Sequence, residues 1–91
     1  MGEVTWSTHA LNDLDSIADY IEMFDPDAAT RMRDRLEALG NSLGHFPNRG
    51  RFAPRGTREL VTISPYILRY RIVREHVLIL TIRHSARRPL G

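Results

Sequence analysis

The amino-acid sequence predicts an α+β fold that begins with an N-terminal strand, followed by an antiparallel helix hairpin packed on one face of a mainly antiparallel sheet (β-α-α-β-β-β). Two periodicities lead to this prediction. Apolar residues recur every three or four positions between residues 11 and 43, as in amphipathic helices, and then every second position between residues 58 and 83, as in strands. Because 91 residues suffice for one core, we expect a single domain over residues 1–91.

A short strand and two helices are expected first. Val4-Thr5-Trp6-Ser7 is β-prone, and Ser7 or Thr8 can cap a helix because a hydroxyl accepts hydrogen bonds from the first turn. The apolar stripe of this helix consists of Leu11, Leu14, Ile17, Ala18, Ile21 and Phe24. Asp25-Pro26 then starts a second helix, since aspartate is a good N-cap and proline is tolerated at the first position. The second stripe consists of Ala29, Met32, Leu36, Leu39 and Leu43, with Gly44 as the expected stop. The short joint makes the pair a hairpin.

An arginine-rich loop and a three-stranded meander follow. Residues 45–56 contain two prolines, two glycines and three arginines, which predicts a loop of a length that favours a functional role. Strands are expected at residues 58–63, 66–73 and 77–83, with turns at residues 64–65 and 74–76. The segment after residue 83 is expected to be a loosely held tail.

Alternation in the last two strands separates apolar from arginine-bearing positions. The set expected beneath the helices is Leu68, Tyr70, Ile72, Leu78, Leu80 and Ile82. The set expected on the outer face is Ile67, Arg69, Arg71, Val73, Val77, Ile79, Thr81 and Arg83, with Arg58 nearby. A register error of one residue would bury two arginines, at a cost of several kcal/mol for each unpaired ion. The outer face is therefore expected to mix arginine with aliphatic surface, which suits an interface.

Charge is distributed unevenly along the chain. The net charge is +2, and all 13 basic residues are arginines. Residues 1–45 hold three arginines and nine acids, a net charge of −6, whereas residues 46–91 hold ten arginines and two acids, a net charge of +8. Arginine binds carboxylates and phosphates through a planar fork of donors. The sequence thus predicts one basic working surface and an acidic partner, either nucleic acid, an acidic protein segment or both.

Several function classes are excluded by composition. The absence of cysteine excludes disulfides, thiolate metal sites and thiol nucleophiles, and the four histidines lack the spacing of a metal site. A domain of this size has no room for a sizeable cofactor cavity, so we expect neither a cofactor nor a metal. No apolar run reaches the ~18–20 residues of a membrane span, and the start resembles no signal peptide. A cytoplasmic location is expected.

One cluster could carry acid–base chemistry. Arg83-His84-Ser85 lies at the end of the last strand, with Arg87 close by. Histidine titrates near neutrality and arginine can stabilise a phosphorane-like charge, so RNA cleavage through the 2′-hydroxyl is conceivable there. A single histidine beside arginines more often caps a strand or contacts a partner.

The order of elements resembles the ParE/RelE toxin superfamily of bacterial type II toxin–antitoxin systems. The resemblance spans nearly the whole chain. It rests on Trp6-Ser7, Ala10-Leu11-Asn12-Asp13-Leu14, Ile17-Ala18-Asp19-Tyr20-Ile21, Phe46-Pro47-Asn48-Arg49-Gly50, Gly56-Thr57-Arg58-Glu59-Leu60, Pro65-Tyr66-Ile67-Leu68-Arg69-Tyr70-Arg71 and Ile79-Leu80-Thr81-Ile82-Arg83-His84-Ser85-Ala86-Arg87.

The resemblance implies a toxin and points to its ParE-like branch. RelE-like and YoeB-like members cleave messenger RNA on the ribosome, but this chain has Ile67 and Ser85 at the expected arginine and histidine positions and contains no lysine. ParE-like members act on DNA gyrase and hydrolyse nothing, so the expected function is gyrase inhibition without catalytic residues. Two alternatives stay open. One is a ribosome-dependent mRNA endonuclease that uses Arg58, Arg83 and His84, and the other is a non-toxic module that binds an antitoxin.

A partner is also implied. Antitoxins of this superfamily, such as ParD-like proteins, carry a flexible and often acidic C-terminal segment that folds as it wraps the toxin. We expect a hetero-oligomer in which this segment covers the outer face. The residues expected to bind the antitoxin or the target are Arg58, Arg69, Arg71, Arg83, Arg87, Ile67 and Ile79.

Overall fold

A helix hairpin packed on a mixed sheet makes up the fold, in a computed structural model that describes residues 2–86. The elements are β1 (Val4–Trp6), α1 (Thr8–Glu22), α2 (Pro26–Asn41), β2 (Arg51–Ala53), β3 (Thr57–Leu60), β4 (Tyr66–Val73) and β5 (His76–His84). The strand order in this part of the chain is β1-β5-β4-β3-β2; β1 runs parallel to β5, and all other neighbours are antiparallel. The predicted α+β class is confirmed. Within residues 2–86, neither helix combines the length and the apolar content that crossing a membrane requires.

Both helices begin where the capping residues predict. The Ser7 hydroxyl accepts a hydrogen bond from the Ala10 amide at 3.0 Å and donates one to the Leu80 carbonyl at 2.9 Å, which ties the start of α1 to β5. The Asp25 carboxylate accepts from the Ala28 amide at 3.1 Å. Helix α2 ends at Asn41 and continues as one 3₁₀ turn up to the predicted stop, Gly44. The hairpin is therefore fixed by local sequence chemistry.

The helices cover one side of the sheet, called here the helix face; the opposite side is the outer face. The core between helices and sheet contains Ala10, Leu14, Leu36, Leu39, Leu43, Leu60, Ile63, Leu68, Tyr70, Val77, Ile79 and Ile82. Helix α2 approaches the sheet closely at Gly40, where a Cβ atom would lie 2.7 Å from Cδ1 of Ile79 and even closer to the ring of Trp6. A glycine at this position lets the two layers meet.

A β-bulge reverses the predicted orientation of part of β5. Arg69 pairs with Thr81, but the next residue, Tyr70, pairs with Ile79, so Leu80 has no partner across the ladder. Val77 and Ile79 consequently face the helices and are fully buried, which corrects the prediction that they lie on the outer face. The predicted core positions of Leu78 and Leu80 are likewise wrong, because both are partly exposed and lie outside the core cluster.

The predicted loop over residues 45–56 contains the edge strand β2 and a 3₁₀ turn, Pro54–Gly56. The side chain that fastens it is Tyr70, whose hydroxyl donates to the Pro47 carbonyl at 2.7 Å and accepts from the Gly50 amide at 2.8 Å. Burial raises the pKa of this phenol above its usual range, although the Gly50 amide and the nearby arginines oppose the shift. The loop is thus held against the helix face.

Candidate functional site

Arginines from three strands converge on the outer face. Arg51 of β2, Glu59 of β3 and Arg69 of β4 pair directly across neighbouring strands, so their side chains form one row. Arg71 and Arg83 lie on the same face, opposite Leu78 and Ile67 respectively. The structure therefore places Arg69, Arg71 and Arg83 on the outer face, as predicted. We call Arg51, Glu59, Arg69, Arg71 and Arg83 the arginine face.

Glu59 is the centre of this face, although it is not among the residues predicted from the sequence to bind a partner. Its carboxylate is nearly buried, with 7% of the side chain exposed. Arg69 donates two hydrogen bonds to Oε2, at 3.0 Å from Nε and 2.6 Å from Nη2. Arg83 Nη2 lies 3.4 Å from the same oxygen, and Arg51 Nη2 lies 3.5 Å from Oε1. One carboxylate thereby orders three guanidinium groups.

The ionisation of Glu59 follows from these contacts. Burial alone raises the pKa of a carboxyl group, but the hydrogen bonds and positive charges of Arg69 and Arg83 outweigh it, so the pKa of Glu59 lies below its usual value. Glu59 is therefore ionised at neutral pH and neutralises part of the surrounding charge.

The arginine face retains excess positive charge. Four arginines against one carboxylate leave three positive charges. Nε of Arg83 is buried without a hydrogen-bond acceptor among residues 2–86. Arg71 is exposed, and the only hydrogen bond of its side chain to residues 2–86 goes to the Arg55 carbonyl at 3.2 Å. The exposed guanidinium groups of Arg51 and Arg71 can bind further carboxylates or phosphates.

Aliphatic side chains border the arginines. Ile67 lies beside Arg83 on the outer face and is 8% exposed, while Val73 at the far end of β4 is 51% exposed. Leu78 takes the place on this face that Val77 and Ile79 were predicted to occupy. The mixture of charge and apolar surface is typical of protein interfaces.

Arg58 lies on the helix face, not near the arginine face as predicted. It pairs with Tyr70 and donates to the carbonyls of Gly50 at 2.8 Å and Asn48 at 3.2 Å, and its guanidinium lies 4.2 Å from the ring centroid of Phe52. The physical reason is alternation, because Leu60 enters the core and residue 58 shares its face. Once Leu60 is known to enter the core, the same alternation identifies Glu59 as the outward residue.

The three residues of the possible catalytic set do not come together. Arg83 points to the outer face, whereas its chain neighbour His84 pairs with Tyr66 on the other face, where its Nδ1 accepts from the Ala86 amide at 3.1 Å. Arg58 pairs with β4 four residues away from Tyr66, which corresponds to ~13 Å along a strand. Arg87, also predicted to bind, lies outside the described residues.

Other chemistry finds little support at this site. In residues 2–86, no three histidine or carboxylate side chains are grouped as metal ligands would be. Ile67 and Ser85, which occupy the positions expected for a catalytic arginine and histidine, offer an aliphatic group and an exposed hydroxyl residue. What the arrangement can do is bind anionic groups on the arginine face.

Comparisons with known proteins agree on one family. A family model described as the ParE toxin of the type II toxin–antitoxin system parDE matches residues 4–89. Toxin RelE2 of Caulobacter vibrioides is 47% identical over 87 residues, covering 96% of this chain and 99% of the relative. The putative toxin Y4kP of Sinorhizobium fredii is 44% identical over 84 residues, covering 90% and 86%. A solved structure, the chromosomal ParDE TA system from P. aeruginosa, matches with a TM-score of 0.81 at 25% identity, covering 92% of this chain and 96% of the other.

Proposed function

Because this chain belongs to the ParE toxin family of type II toxin–antitoxin systems, we propose that it arrests growth by inhibiting DNA gyrase and that an acidic antitoxin segment on the arginine face neutralises it. In this proposal the chain works in the cytoplasm, without a cofactor, as part of a complex with its antitoxin. Its toxicity comes from binding the target and not from cutting a nucleic acid.

The choice of target rests on one observation. Of the three residues of the possible catalytic set, Arg83 lies on the outer face of the sheet, whereas His84 and Arg58 lie on the helix face. Acid–base catalysis needs its proton carrier within hydrogen-bond reach of the scissile group, and a phosphate clamp must lie beside it. Here the Arg83 side chain points away from that of His84, and its guanidinium is already bound to Glu59. This separation favours inhibition by binding over RNA cleavage.

The arginine face supports the antitoxin part of the proposal. Its three excess positive charges and the flanking Val73 and Leu78 match a segment that alternates carboxylates with apolar residues. Such a segment would extend over the exposed Arg71 and Val73 of β4 and the partly exposed Leu78 of β5. The matching solved structure, a chromosomal ParDE TA system, is consistent with a two-protein complex.

Arg71→Glu is expected to weaken antitoxin binding about tenfold and to reduce its dependence on salt, because it reverses an exposed charge that faces the acidic segment. Arg71 suits the test better than Arg69, since the guanidinium of Arg69 holds Glu59 and its replacement would disturb the fold. Titration calorimetry at two salt concentrations measures the effect. The control is Arg31→Glu, which reverses the charge of an exposed arginine on α2. Equal antitoxin affinities of the two variants would show that the antitoxin binds elsewhere.

His84→Ala is expected to leave growth arrest intact, because an inhibitor that only binds needs no proton carrier. Primer extension on translated messages, run on the same cultures, is expected to show no new 5′ ends with the wild-type chain or the variant. If the chain were a ribosome-dependent endonuclease, primer extension would stop at new 5′ ends with the wild-type chain, and these stops would disappear with the variant. A thermal melt confirms that the variant is folded.

A further inference from the structure

The turn between the helices carries a second exposed surface that the arginine face does not explain. Tyr20, Met23 and Phe24 are 62%, 77% and 73% exposed, and the rings of Tyr20 and Phe24 meet edge to face with centroids 5.4 Å apart. We call these three residues the aromatic tip. Large apolar side chains gathered at one point of a small protein are typical of interaction sites.

The surroundings of the aromatic tip are strongly acidic. The exposed residues Asp19, Glu22, Asp25 and Asp27 flank it, which gives residues 19–27 a net charge of −4. No basic residue occurs between positions 10 and 30. This is the opposite of the arginine face, so an acidic antitoxin segment or a nucleic acid would be repelled from the aromatic tip.

The two surfaces are also separated in space. Helix α1 is anchored to β5 at its first residues through Ser7, and Tyr20, the first residue of the aromatic tip, lies 13 positions later, ~20 Å along the helix. The helices lie on the helix face, whereas the arginine face is on the other side of the sheet. One partner can therefore occupy the arginine face while another contacts the aromatic tip.

We propose that the aromatic tip is the docking site for the toxin's target, a protein surface with an apolar pocket rimmed by arginine or lysine. This inference rests on the proposed function, in which the target is gyrase. Three exposed side chains of this kind offer on the order of 400 Å² of mainly apolar surface. That is less than the ~800 Å² per partner of a standard interface, but it suits the central anchor that dominates binding energy.

A second copy of the chain fits this surface poorly. In a symmetric dimer the same patch meets itself, so two aromatic tips in contact would bring eight carboxylates together without a basic residue between them. Basic groups around the pocket of a different partner would instead complement the four carboxylates and orient the tip.

The double variant Tyr20→Ala/Phe24→Ala tests the inference against Phe46→Ala, an equally exposed aromatic residue in the 45–50 loop. In a supercoiling assay, the double variant is expected to require at least about tenfold more protein than the wild-type chain for half-maximal inhibition of gyrase. Phe46→Ala is expected to match the wild type, and all three proteins are expected to bind the antitoxin equally. Because the substituted side chains are mostly exposed, the melting temperatures are expected to stay close to that of the wild type.

Equal inhibition by the double variant and the wild type would overturn the inference, as would a loss of antitoxin binding that parallels the loss of inhibition. If the wild-type chain itself leaves gyrase active, the proposed function fails. The role of the aromatic tip is then tested by comparing the growth arrest that the wild type and the double variant cause. Arrest that disappears in the double variant, with antitoxin binding retained, would still support a target-docking site; undiminished arrest would refute it. A wild-type dimer that the double variant lacks, with arrest unchanged, would also refute it.

Discussion

Glu59→Gln is expected to lower the free energy of unfolding by about 3 kcal/mol, because it removes the charge of a buried carboxylate that pairs with arginines. The glutamine cannot neutralise Arg69, Arg83 and Arg51, which would then face one another across the sheet without an anion. For a domain of this size, the loss corresponds to a decrease in melting temperature of more than about 10 °C. Circular dichroism during urea and thermal denaturation measures it.

The matched control is Glu75→Gln, which removes an exposed carboxylate from the β4–β5 turn and is expected to change stability by less than about 0.5 kcal/mol. Low pH provides a second control. Because the folded pKa of Glu59 is lowered, its contribution is complete above its unfolded value near 4.5 and declines as the pH falls below it. The gap between the wild type and Glu59→Gln should therefore narrow in acid; a gap that is small and independent of pH would refute the role of Glu59.

Ile79→Ala is expected to lower the free energy of unfolding by about 2–5 kcal/mol, because it removes a fully buried side chain that packs against Gly40 and leaves a cavity. The effect reports on the bulge at Leu80, since uninterrupted alternation would turn Ile79 to the outer face. Urea denaturation followed by the fluorescence of Trp6, the single tryptophan, measures it.

Leu78→Ala is the paired control for the bulge. Leu78 is partly exposed on the outer face and lies outside the core, so its truncation is expected to cost clearly less than that of Ile79. If Leu78→Ala cost more unfolding free energy than Ile79→Ala, Leu78 would face the helices and Ile79 would lie on the outer face.

The sequence predicted the faces of β4 residue by residue, but in β5 only those of Thr81, Ile82 and Arg83, and the difference is physical. In β4, arginines alternate with apolar residues, so only one register avoids burying charge. In β5, Val77-Leu78-Ile79-Leu80 is apolar at every position, and alternation carries no information about a bulge there. The helix boundaries were predictable because Ser7, Asp25 and Pro26 act locally.

The candidate site shows the same limit. The outward arginines of β4 were predictable, whereas Glu59 required knowing that Leu60 enters the core and that residue 59 pairs with Arg69. Strand β2 escaped prediction because it has three residues between Gly50 and Pro54 and pairs with one neighbour alone. Arg58 was misplaced for the same reason that Glu59 was missed, because the burial of Leu60 turns residue 58 to the helix face, where hydrogen bonds tie it to the 45–50 loop.

The two proposals together assign different partners to the two surfaces. We propose that the arginine face binds an acidic antitoxin segment and that the aromatic tip binds a target with basic groups around an apolar pocket. Inhibition of toxicity would then require either overlap of the bulky partners or a change in the toxin, and not competition for the same residues.

The central claim is that the chain inhibits gyrase and cleaves no RNA. The most direct test divides one preparation of the purified chain between a gyrase supercoiling reaction and a reconstituted translation reaction. We predict that the plasmid stays relaxed as the chain is added, while every message in the second reaction remains intact. Full supercoiling at a large excess of the chain, together with messages cut at ribosome-bound codons, would contradict it.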